Sequence, residues 1–81
     1  MSLSNTILRA TLPSGNHAVY EVQPQHLNLH CWGDTLNRVA IDLGHQLAHE
    51  HKGRWFKPGG WEEITDQRTV ELLEKIGRAH V

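Results

Sequence analysis

Ile7-Leu8-Arg9-Ala10-Thr11-Leu12 and, one turn later, His17-Ala18-Val19-Tyr20-Glu21-Val22 carry the pattern on which the fold depends. In the first run Leu8, Ala10 and Leu12 share one side while Ile7, Arg9 and Thr11 share the other. In the second, Ala18, Tyr20 and Val22 alternate with His17, Val19 and Glu21. A period of two marks a half-buried strand, and Pro13-Ser14-Gly15-Asn16 between the runs reads as a turn. After Pro24 a third run sets Leu27, Leu29 and Cys31 against His26, Asn28 and His30. Three strands joined by short turns are expected to form an antiparallel meander.

Directly opposed residues of an antiparallel pair lie on one face, so the apolar positions select a register. Leu12 with Ala18, Ala10 with Tyr20 and Leu8 with Val22 leaves the five-residue loop Pro13 to His17 and sets Arg9 opposite Glu21. The second turn then pairs Val22 with Leu27, Tyr20 with Leu29 and Ala18 with Cys31. One face is apolar; the other carries Arg9, His17, Glu21, His26, Asn28 and His30.

Helices are expected to cover the apolar face. From Asp34, an N-cap residue type, Leu36, Val39, Ala40, Leu43 and Leu47 recur at helical spacing up to Gly53, with Arg38, Asp42, His45, Gln46, His49 and Lys52 opposite. The aromatic and glycine-rich segment Arg54 to Trp61 can form a short fourth strand at an edge that runs into a turn, since Pro58 has no N–H for a ladder. Thr65 or Asp66 can cap a second helix through Lys75, with Val70, Leu72 and Leu73 inward. The expected fold is a two-layer α+β domain in the order βββαα, both helices on one face of the sheet.

The chain has 81 residues, with eight basic and nine acidic side chains and a net charge of −1. That balance argues against duplex DNA as a partner, which calls for a basic footprint. A core this small barely offsets the entropy of ordering the chain, so self-association into a homo-oligomer is expected. The single cysteine, Cys31, excludes an intrachain disulfide and points to a reducing, cytoplasmic setting. No apolar run is long enough to cross a bilayer, and the N-terminus lacks the pattern of a signal peptide, so no membrane partner is expected.

Three constellations could carry chemistry. His45 and His49, one turn apart on the expected helix, could bind a metal from one face, as in the two-histidine pattern of zinc proteases. In that pattern a glutamate follows the first histidine; here Gln46 stands there and has no useful basicity. The alternative is a solvated helix face. His26, Asn28 and His30 alternate on one strand face rich in hydrogen-bond donors, either a binding surface or an ordinary solvent-facing one. Trp55 and Trp61, with Trp32 and Phe56 and the cations Arg54 and Lys57, could stack a base and grip its phosphate, or could close the core. Pro58-Gly59-Gly60 lacks the lysine and hydroxyl of a phosphate loop. Cys31 alternates onto the apolar face and reads as packing rather than as a nucleophile. No catalytic arrangement stands out, and nothing calls for a cofactor.

The terminal segment Ile76-Gly77-Arg78-Ala79-His80-Val81 resembles a translated sequencing adapter. The string AGATCGGAAGAGCACACGTCTGA reads, in its third frame, Ile-Gly-Arg-Ala-His-Val-stop, and its two leading bases complete an AAG codon for Lys75. The resemblance implies a domain of residues 1–75, an adapter-derived tail at 76–81 and a gene drawn from environmental reads. Small acidic proteins from such sources resemble phage antagonists of host defence, namely anti-CRISPR proteins and sponges for nucleotide signals. A non-enzymatic binding protein that takes a host protein or a small nucleotide is therefore expected. A metal-binding protein using the histidine pair and an antitoxin-like regulatory module are the alternatives.

Overall fold

A computed structural model describes residues 5–27, 31 and 33–78. The chain runs β1 (Thr6–Thr11), β2 (His17–Val22), a 3-10 turn (Pro24–His26), α1 (Asp34–Leu43), β3 (His45–His51), β4 (Arg54–Phe56) and α2 (Gln67–Arg78). The four strands form one antiparallel sheet in the order β1-β2-β3-β4. The α+β class, the first two strands and the short fourth strand are as the sequence pattern indicates.

Around the first hairpin the turn is tight. Leu12 N–H donates to Asn16 O at 2.8 Å and Gly15 N–H to Leu12 O at 2.9 Å. Gly15 takes the positive φ, 91°, that a side chain rarely adopts. The register pairs Leu8 with Tyr20 and Ala10 with Ala18. This differs from the expected pairing by two residues, which keeps every side chain on its face. Arg9 consequently lies opposite Val19, and Ile7 opposite Glu21, in place of the expected Arg9–Glu21 pair.

The third strand is His45–His51, not the run after Pro24. Pro24 to His26 make a 3-10 turn, Leu27 caps it, Cys31 lies in no strand, and Asn28, Leu29 and His30 fall outside the described residues. The expected single helix from Asp34 to Gly53 is instead a ten-residue helix and a strand. Gly44 makes the break. Its N–H donates to Ala40 O at 3.0 Å, closing α1. A Cβ there would collide with Ala40 O and reach 3.0 Å from both Tyr20 Cβ and Val22 Cγ2. The helix end and β2 thus approach as closely as only glycine permits.

The helical appearance of the stretch comes from a bulge. Val19 pairs with Ala48 and Tyr20 with Gln46, so Leu47 is an extra residue in β3. Leu47 and Ala48 then both pack with Val19, and the period of two is hidden. The β3–β4 hairpin closes on Lys52 and Gly53, both with positive φ (52° and 79°), the requirement of a two-residue type I′ turn.

Both faces of the sheet are covered. Leu8, Ala10, Ala18, Tyr20 and Val22 pack with Ala40 of α1, and Leu12, Leu36, Val39 and Ile41 join them. On the other face Val19, Ala48 and Trp55 pack with Leu73 of α2, joined by Ile7, Leu47, Ile64, Val70 and Ile76. The helices therefore sandwich the sheet instead of sharing one side. The face expected to be polar contains Val19, which is fully buried. Leu43 and Leu72, expected inward, are exposed.

Asp66 is the cap of α2. Its Oδ2 accepts from Thr69 N–H at 3.0 Å and from Thr69 Oγ1–H at 2.7 Å. Ile76 packs into the second cluster, so α2 continues across the domain boundary expected after residue 75. No described helix is long and apolar enough to cross a membrane.

Candidate functional site

Strand alternation puts His49 and His51 on one face of β3, with Phe56 of β4 directly opposite His49. This is the α1 face, since His49 pairs with Ala18. The loop after β4 folds back over these rings. Gly59 turns it with a φ of 77°, Lys57 N–H donates to Glu62 O at 2.8 Å, and Ile64 N–H donates to Trp55 O at 2.9 Å. Glu63 bridges Phe56 beside the strand.

Trp61 is carried by this loop onto three rings. Its indole meets His49, His51 and Phe56 edge-on, with centroid distances of 5.5, 5.4 and 5.3 Å. Edge-to-face contacts of this kind contribute roughly 0.5–1.5 kcal/mol each beyond buried area. His49 also stacks on Phe56 at 5.6 Å. Its Nε2–H donates to Gly60 O at 3.0 Å, which ties the ring to the loop that bears the tryptophan. Asn16, from the β1–β2 turn, donates from Nδ2 to His51 Nδ1 at 3.3 Å. Despite these contacts Trp61 is 68% exposed. A large apolar ring is thus held in orientation and open to solvent.

The remaining members of the expected aromatic site separate. Trp55 points to the other face of the sheet and is 3% exposed, so it is core and offers no stacking surface. Its Nε1 is buried with no hydrogen-bond partner among the described residues. Arg54 Nη1 lies 4.0 Å from Glu63 Oε1, and Lys57 Nζ lies 3.2 Å from Glu62 Oε2. Both cations therefore stand beside a carboxylate. Trp32 lies outside the described residues.

The metal pair is not assembled. On a strand His45 and His49 are about 13 Å apart along the chain. His45 pairs with Glu21 and His49 with Ala18, which places them on opposite faces. Among the described residues there is no group of three or more histidine, cysteine or acidic side chains that could hold a metal ion. Of the expected strand face, His26 sits in the 3-10 turn with Nδ1 buried and without a partner among the described residues, and Asn28 and His30 lie outside them.

A polar cluster that the sequence did not single out lies on the α2 face. Arg9 Nη2 is 2.7 Å from His17 Nδ1, which is also 3.2 Å from Glu50 Oε1. One ring nitrogen cannot accept from arginine and donate to glutamate at once, so the tautomer decides which contact is a hydrogen bond. His51, Asn16 and the Gly60 carbonyl were likewise missed as parts of the ring cluster. The signal for His51 was its spacing of two from His49, legible once the stretch is read as a strand.

No protein-family profile, no curated protein and no solved structure matches this chain.

Proposed function

We propose that this chain is a small non-enzymatic binding protein that seats Trp61 in a pocket of a partner protein, in the manner of phage-borne antagonists of host defence. The carrying observation is Trp61 itself, 68% exposed yet braced by three rings. Tryptophan is enriched among the few residues that dominate protein interfaces, and bracing lowers the ordering cost on binding. A protein partner is favoured over a nucleotide because Trp55 is buried and Arg54 and Lys57 already face Glu63 and Glu62. The host-antagonist role rests on the chain's small size and on the resemblance of its last six residues to adapter read-through; the action would be cytoplasmic.

The test is phage plating on bacteria that carry an immune nuclease, with the wild-type chain or Trp61→Ala expressed from a plasmid. Restored plating by the wild type and none by a folded Trp61→Ala supports the reading. Equal plating by both moves the contact away from Trp61, and no restoration against a panel of immune systems removes the antagonist role.

A further inference from the structure

Among the described residues, the two edges of the sheet are finished differently. Beside β4 the segment Glu62 to Ile64 occupies the outer edge, through the Ile64 N–H to Trp55 O bond and the Phe56–Glu63 bridge. At β1 the Leu12–Asn16 hydrogen bond sets the phase of the ladder. Leu8 and Ala10 direct their amide groups to β2, while Ile7, Arg9 and Thr11 direct theirs outward. Asn37 of α1 takes both groups of Thr11: Thr11 N–H donates to Asn37 Oδ1 at 2.6 Å, and Asn37 Nδ2 donates to Thr11 O at 3.1 Å. The N–H and C=O groups of Ile7 and Arg9 have no partner among the described residues. They border a groove lined by Leu8, Arg9, Gly33, Leu36 and Asn37. An edge left in this condition is a template for another strand.

We infer that a second copy of this chain fills that edge, β1 against β1 and antiparallel, about a two-fold axis at Leu8. The inference is independent of Trp61, which lies beyond α1 on the β3–β4 side. With the two Leu8 residues opposed, Ile7 of each copy meets Arg9 of the other. Each such pair is of the hydrogen-bonded type, so all the outward groups of Ile7 and Arg9 are satisfied together. Side-chain chemistry selects this axis over its neighbours. An axis at Arg9 would oppose two guanidinium-bearing side chains, which is destabilising. An axis at Ile7 would match Arg9 with Asn5, which lies outside β1. The Leu8 axis sets each cation against an isoleucine, and the Asn37 amide ends the ladder at Thr11. An isologous contact of this kind closes on itself and joins two four-stranded sheets into one of eight.

Sedimentation velocity over a concentration series tests the dimer, and opposite charges at position 7 test the register. Ile7→Glu faces Arg9 of the other copy twice per dimer and is expected to tighten the dissociation constant about tenfold; Ile7→Lys is expected to weaken it about as much. Both variants lose the same contact with the Leu73 cluster. Each also meets Glu21 across the hairpin, where glutamate repels and lysine attracts. Thermal melts of the two are therefore read beside the dissociation constants: the fold effect favours Ile7→Lys and the interface effect favours Ile7→Glu. Ile7→Pro removes an outward N–H while leaving the bonds to β2, and is expected to give a folded monomer. Should these variants fail to fold, amide exchange of the wild type decides: protection of Ile7 and Arg9 must rise with protein concentration. A wild type that stays monomeric, equal constants for Ile7→Glu and Ile7→Lys, or exchange at Ile7 and Arg9 that ignores concentration overturns the inference.

Discussion

His49 donates its Nε2–H to the carbonyl of Gly60 while its ring meets the edge of Trp61 5.5 Å away, so one imidazole holds both the loop and the indole that the loop displays. The exposed ring is thus oriented by β3, a strand whose Ala48 is buried in the core.

Trp61→Ala should leave the fold intact, since most of the indole is in solvent. It should weaken binding of a partner protein by about 2 kcal/mol or more, the range of interface hot spots. Calorimetric titration beside a thermal melt separates the two effects; a melt that collapses would make the indole a structural element.

His49→Ala should act on the same surface through the loop. Loss of the bond to Gly60 and of the edge contact frees Trp61, so, with Trp32 and Trp55 replaced by phenylalanine to leave Trp61 as the sole emitter, its fluorescence anisotropy should fall and its quenching by iodide should rise. Unchanged values would show that His51 and Phe56 suffice to hold the indole.

Gly44→Ala should destabilise the protein by about 1–3 kcal/mol, the usual cost of overpacking. The added methyl meets Ala40 O, Tyr20 Cβ and Val22 Cγ2, which are backbone and inflexible parts of the core. Urea unfolding measures this directly, and a neutral result would mean that α1 shifts away from β2 freely.

Asp66 links the stability of α2 to pH. The hydroxyl of Thr69, then its backbone N–H, lowers the Asp66 pKa below the ordinary 3.8. A carboxyl depressed in the folded state stabilises fully above its unfolded pKa and loses that contribution as pH falls through the folded one. Asp66→Asn should therefore reduce stability near neutral pH and flatten its decline below about pH 4. Parallel acid melts of the two proteins check this; curves of the same shape would separate the cap from the acid transition.

Deleting residues 76–81 should cost about 1 kcal/mol, because Ile76 is half-buried against the Leu73 cluster. Denaturant unfolding of the shortened chain tests it. No change would mean that the last turn of α2 adds nothing to the core.

Local chemistry settled the elements whose signals are short-range. Alternation over Ile7 to Val22, a turn after Leu12 and a cap at Thr65 or Asp66 are each set by neighbours within a few residues, and the structure chose Asp66 of the two and shortened the loop so that His17 joins the strand. Trp61 was legible as a candidate because, with Trp55, it flanks the Pro58-Gly59-Gly60 turn beside Arg54 and Lys57. Tertiary structure decided the rest. Whether His45 to His51 is helix or strand depended on the collision that Gly44 avoids with β2 and on the bulge at Leu47, neither visible in a periodicity. Which face α2 covers depended on Val19, whose burial overrides the polar residues around it. The same choice sent Trp55 into the core and separated it from Trp61: a strand turns successive side chains to opposite faces, and only packing determines which of the positions on each face a helix covers.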